Sequence, residues 1–138
     1  MEENILHLIP QRPPMVMVDH LLEVDDRGCK TSLRIKEGNI FVSGGKLTEP
    51  GLLEHIAQSA AARQGYLSRK SGHTPPIGYI GAIQQVEILG LPKINDEIVT
   101  KITIKNQIFE VMIISAVVCR NKIELARCEM KIFISNQQ

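Results

Sequence analysis

The spacing of apolar and polar residues changes three times along this 138-residue chain, and each change marks a new element. After Pro13-Pro14, residues 15–24 mix aliphatic and polar side chains, and residues 29–36 alternate beyond the turn-forming run Asp25-Asp26-Arg27-Gly28. Two extended segments around such a turn predict a hairpin. Over residues 37–46, three glycines and an asparagine break any period, which predicts an irregular loop. The period then becomes helical, with Leu53, Ile56, Ala57, Ala60, Ala61 and Leu67 close to i, i+3, i+4, i+7 spacing. Thr48 suits the N-cap and Glu49 the positive end of the helix dipole. Pro50 sacrifices nothing in a first turn whose N–H groups lack intrahelical acceptors. Gly72 and Pro75-Pro76 are the stop signals.

Beyond the prolines the pattern is that of strands. Residues 78–88, 97–108, 110–119 and 123–135 are rich in Ile, Val and Thr, with turns at Leu91-Pro92-Lys93-Ile94-Asn95-Asp96, near Asn106, and at Arg120-Asn121-Lys122. The order is hairpin, one long helix, then strands. Ala57, Ala60, Ala61 and Ala62 let an antiparallel sheet come close to that helix, so the expected fold class is α+β, a sheet wrapped around a single central helix. One helix leaves sheet edges uncovered, and unpaired N–H and C=O groups on an edge invite a second copy to continue the ladder. A homodimer is the expectation, built from one domain spanning residues 1–138.

Composition narrows the function. Hydrophobic residues make up 43% and charged residues 22% of the chain, a globular balance, and a net charge of +1 argues against a nucleic-acid partner. Neither a cleavable leader nor an apolar run approaching the roughly 20 residues of a membrane span is visible, so a cytoplasmic protein is expected. Cys29, Cys119 and Cys128 have no metal-ligand spacing and read as small hydrophobes, while His7 and His73 have no ligand-spaced partners. No metal or cofactor is expected.

The richest stretch is Gly44-Gly45-Lys46-Leu47-Thr48-Glu49-Pro50-Gly51-Leu52-Leu53-Glu54-His55-Ile56-Ala57-Gln58, a glycine-rich loop entering the helix. Glu54 lies among Leu52, Leu53, Ile56 and Ala57, a setting that desolvates a carboxylate and suits it to proton exchange. Gln58, four residues on, shares its face, whereas His55 points about 100° away and forms no dyad with it. Lys46 sits where its ammonium would reach the Glu54 carboxylate or a bound anion. As a protonated group it is suited to donate a proton or stabilise negative charge. Gly51 costs about 1 kcal/mol relative to alanine in a helix. Two accounts of it stand level: close packing of the helix start, or a bare amide that polarises a substrate carbonyl. Asp19-His20 lie in a strand, where neighbours face opposite sides, and carry little weight.

Four motifs in order give the chain a family resemblance. Leu8-Ile9-Pro10-Gln11-Arg12 with its following apolar run and Asp19, Glu54-His55-Ile56-Ala57-Gln58, Gly81-Ala82-Ile83, and Pro92-Lys93-Ile94-Asn95-Asp96 are similar to segments of the hot-dog-fold 3-hydroxyacyl-[acyl-carrier-protein] dehydratases. The short interval between Gly51 and Glu54 resembles the relatives found in aryl-polyene and flexirubin-type pigment pathways. The resemblance implies elimination of water from a 3-hydroxyacyl thioester, on an acyl carrier protein or coenzyme A, at a site between two subunits. It assigns the acid to Glu54, the carbonyl-binding amide to Gly51, and further substrate contacts to Gly45, Gln58 and Gly81. In place of the family's catalytic histidine, in its glycine-histidine-phenylalanine loop, stands Gly45-Lys46-Leu47. A neutral imidazole suits proton removal near pH 7 and an ammonium does not, so Lys46 implies impaired or altered dehydration. Two alternatives stand beside the dehydratase: a non-catalytic hot-dog subunit that binds acyl chains or pairs with an active homologue, and an acyl thioesterase. Leu33, Ile35, Phe41 and Ile83 are the candidate lining of an acyl tunnel.

Overall fold

The computed structural model describes residues 4–74 and 76–135. Pro75, one of the two prolines expected to end the helix, lies outside the described residues. After a short 3-10 turn at Ile5–His7, the chain forms β1 (His20–Asp25), β2 (Gly28–Arg34), the two-residue strands β3 (Val42–Ser43) and β4 (Lys46–Leu47), and helix α1 (Glu49–Lys70). It continues through β5 (Ile77–Ile88), β6 (Glu97–Ile108), β7 (Val111–Arg120) and β8 (Ile123–Ser135). Six of the strands make one antiparallel sheet in the order β1-β2-β6-β7-β8-β5, and α1 packs on one face of it. This is the expected α+β architecture. Among the described residues no helix is long and apolar enough to cross a membrane.

Alternation places the core. Ile98, Thr100 and Ile102 of β6 and Met112, Ile114, Ala116 and Val118 of β7 are buried, while their neighbours in sequence face outward or lie only half-buried. They meet Leu52 and Ile56 of α1, each at most 1% exposed. A fully buried side chain of this size contributes about 1.5–3 kcal/mol. Burial pushes the Cys29 thiol up to about 12 and the Cys128 thiol up to about 11, so both pack as apolar groups, as expected. All three cysteines are free.

Three local expectations need correction. The first strand begins at His20, not near residue 15. At Met15 and Met17 the main chain bonds to helix side chains: Gln58 takes Met15 O and Met17 N, and His55 takes Met17 O; strand-type pairing starts only at Asp19, whose N–H donates to Ser32 O at 2.8 Å. The loop over residues 37–46 contains a tight hairpin, because Gly44 (φ 61°) and Gly45 (φ 78°) supply the two left-handed positions of the turn between β3 and β4. Finally, the buried stripe of α1 includes His55, Gln58, Ser59 and Arg63, whereas Leu53, Ala57 and Ala61 are only partly buried. Polar residues can occupy a core face when each is matched by hydrogen bonds, and these are.

The free edge of β5 positions the site. Among the described residues this strand pairs only with β8, and Tyr79, Ile80, Ile83 and Val86 are 37–58% exposed. Residues from both of its faces are therefore uncovered in the single chain.

Candidate active site

Glu54 stands on the second turn of α1, half-buried, at the wall of a cavity of about 250 Å³ between the helix and the β5, β7 and β8 strands. Helical periodicity brings Ala57, Ala61 and Gln64 onto the same wall; Ile80, Met112, Ile132 and Ile134 form the opposite one. Pro10 and Gln11 close one side. The space is thus a mostly apolar cleft with one carboxylate on its surface.

Gln58 fixes that carboxylate. Its Nε2 donates to Glu54 Oε2 at 2.7 Å and to Met15 O at 2.8 Å, and its Oε1 accepts from Met17 N at 2.7 Å. Fully buried and with all three bonds made inside the protein, the Gln58 amide orients Glu54 and anchors the segment before β1. Glu54 and Gln58 are the two predicted site residues that the fold brings into direct contact.

His55 faces the other way. Nδ1 lies 2.7 Å from Met17 O, which can only accept, so Nδ1 carries the proton and Nε2 accepts from the Thr100 hydroxyl, also at 2.7 Å. Burial pulls its pKa down to about 4, and the ring is neutral at physiological pH. It is a structural residue, separate from Glu54, as the helical angle implied.

Lys46 lies on β4, exposed and outside the lining of the Glu54 cavity of its own chain. It is bridged to Lys93, with Leu47 N to Pro92 O at 2.9 Å and Ile94 N to Gly45 O at 3.0 Å on either side. Gly45 thus serves the turn through its positive φ and its carbonyl. Gly51 is buried, and a Cβ there would stand 2.5 Å from Phe41 Cβ and 2.8 Å from Leu47 Cδ1, so close packing by itself demands glycine. Gly81 is exposed on β5, its missing side chain replaced by the Phe133 ring. Asp19 accepts from Arg34 N at 2.8 Å, and His20 is exposed.

None of the four tunnel candidates lines the cavity. Leu33 and Ile35 are buried in the core, Phe41 packs against Gly51, and Ile83 is exposed on β5. The residues that do line it and were overlooked include Gln11, Gln64 and Met112. Gln64 was recoverable from the helical series 54, 57, 61, 64; Gln11 and Met112 depend on how distant segments meet.

With this geometry in place, the profile of the ApeP-like family, described as ApeP dehydratase, matches residues 3–138. The chain belongs to the ApeP-like family. Among solved structures, the dehydratase heterocomplex ApeI:P from Xenorhabdus doucetiae superposes with a TM-score of 0.92 at 12% identity, covering 99% of this chain and 94% of that one. A hypothetical thioesterase with coenzyme A from Streptococcus pneumoniae gives a TM-score of 0.68 at 11% identity, covering 86% of this chain and 87% of that one. A sigma28-regulated virulence protein from Campylobacter jejuni gives 0.72 at 9% identity, covering 97% of each chain. At these identities the structures share the hot-dog fold with this ApeP-like chain. No curated protein sequence matches it significantly.

Proposed function

We propose that this ApeP-like protein acts in the cytoplasm on 3-hydroxyacyl thioesters, held on an acyl carrier protein or coenzyme A, as a dehydratase-type hydro-lyase in fatty-acid or polyene-type biosynthesis. The observation that carries the reading is Glu54, the carboxylate of an apolar cleft, held by the Gln58 amide. In elimination, a proton leaves the carbon next to the thioester, the 3-hydroxyl departs as water after gaining a proton, and an enoyl thioester remains. Glu54 exchanges protons with the substrate; the amide at Gly51, three residues before it and outside the lining of the cleft in the single chain, is the group assigned to polarise the thioester carbonyl. Lys46 lies outside the cleft of its own chain, so it would stabilise or protonate the leaving oxygen only across a subunit contact. The free edge of β5 supplies such a contact by continuing the ladder into a second copy.

A second reading is favoured by Lys46 itself, which leaves the chain without the family's imidazole base. In that reading the protein binds the acyl chain and pairs through β5 with an active homologue. Synthetic 3-hydroxyacyl-pantetheine assayed for enoyl product and for free thiol separates the cases. Enoyl product identifies a dehydratase and thiol a thioesterase; binding with neither product identifies the non-catalytic subunit. Glu54→Gln is expected to lower enoyl formation by about 10³-fold with the fold intact. Full activity in that variant would remove Glu54 from the chemistry. Lys46→His is expected to raise dehydration.

A further inference from the structure

The helix wall of the Glu54 cavity has a polar residue at each end and only alanine between them. Ala57, Ala60 and Ala61 line its middle, and Gln64 is the last residue of α1 to reach it. Gln64 follows Glu54 by ten residues, which at the helical rise separates them by about 15 Å along the axis. Met112 of β7 and Ile132 and Ile134 of β8 line the same cavity, so the strip between the two polar ends is apolar on both sides.

Two glutamines of α1 are used in different ways. Gln58 is fully buried and makes three hydrogen bonds inside the protein. Gln64 is half-buried, and its Nε2 donates to Met112 Sδ at 3.5 Å, a thioether and so a weak acceptor. Its Oε1 has no hydrogen-bond partner among the described residues. Unlike Gln11 Oε1, which is enclosed, the Gln64 oxygen is open to solvent. The contact with Met112 keeps this amide on the cavity wall, at the end remote from the carboxylate.

We infer that Gln64 sets the upper length of the acyl chain that the cleft accepts. The inference rests on the acyl-thioester reading of the cavity. A thioester whose reacting carbons sit at Glu54 lays its chain along the alanines toward Gln64. Each methylene placed on that strip exchanges water for apolar contact and tightens binding about fourfold. A methyl terminus that arrives at Gln64 covers the amide oxygen, removes its water and returns no hydrogen bond, so lengthening the chain further weakens binding. The chains selected therefore end within about 15 Å of the carboxylate. Gln64 is in this sense a specificity residue, and the small side chain of Ala61, one turn before it, keeps the way to it open.

The test measures equilibrium binding of unreactive pantetheine thioethers whose saturated chains grow by one carbon at a time. For the wild type, affinity is expected to climb about fourfold per carbon and then to turn downward, losing about tenfold once the chain covers the amide. Gln64→Met replaces the amide with an apolar side chain of similar length, and its affinity should go on climbing past the wild-type turning point. Ala61→Leu fills the strip before Gln64 and should move the turning point to shorter chains. A wild type that climbs without turning, or a Gln64→Met that turns at the same length as the wild type, overturns the inference and leaves the acyl-thioester reading intact. An Ala61→Leu with an unchanged turning point does the same, because the chain then runs elsewhere than along α1. A wild type that binds none of the series overturns the acyl-thioester reading, and the inference with it.

Discussion

The two sides of α1 treat polar groups in opposite ways. On the side facing β1, β2 and β6, His55, Gln58, Ser59 and Arg63 are at most 6% exposed, and every one is tied to a neighbour. On the side facing β5, β7 and β8, Glu54 and Gln64 share a half-open wall with alanines, and Gln11 opposite them has an oxygen with no partner. The first side spends its hydrogen bonds on assembling the fold, using side chains in place of strand pairing to hold the segment before β1. The second leaves a cleft beside Glu54 instead of filling the space with core side chains. Gln58 joins the two, because one amide both anchors the main chain at Met15 and Met17 and aims Glu54.

The comparison can be broken from the core side first. His55→Leu strands Met17 O and the Thr100 hydroxyl in the interior, and should cost on the order of 3 kcal/mol in a denaturant titration. A loss below about 1 kcal/mol would mean that these partners find water or each other. The same residue sets a pH dependence. Its folded pKa of about 4 lies below the ordinary 6.5, so the unfolded chain takes up a proton first as pH falls. Stability contributed by neutral His55 is therefore complete above about pH 6.5 and is lost as pH drops toward 4. Equilibrium unfolding between those limits should show the slope in the wild type and a much flatter one in His55→Leu.

Smaller effects sharpen the cavity side. Gly65→Ala pushes a methyl group into Leu8 O and should cost about 1–3 kcal/mol. A cost below about 0.5 kcal/mol in a denaturant titration would mean that the segment at Leu8 moves off the helix freely. The smallest effect on folding belongs to Val86→Lys on the exposed β5, within about 0.5 kcal/mol for the isolated chain. Its readout is the sedimentation coefficient, which should fall to that of a monomer. An unchanged value would place the subunit contact elsewhere.

Much of the fold was legible because it is written in short-range periodicity. The alternation of β6 and β7 follows from the two-residue repeat, and Glu49 with Pro50 marks the helix start without any tertiary information. Thr48 shows the limit of that logic. It occupies the N-cap position, yet its hydroxyl donates to Phe41 O at 2.8 Å and not to the helix. For the site, the pairing of Glu54 with Gln58 was readable from their spacing of four. The place of Lys46 was not, because the β3–β4 hairpin and its bridge to Lys93 turn it away from the Glu54 cavity.

What the sequence determined by itself was the kind of molecule: one long helix, its start, the strands that surround it, and a carboxylate and an amide on one helical face. These depend on neighbours within four residues, where backbone geometry fixes direction. Only the tertiary structure decided which polar residues are structural and which are left for a ligand. Whether a buried polar atom has a partner depends on residues far away in the chain, as the bond from Met17 N to Gln58 spans 41 positions.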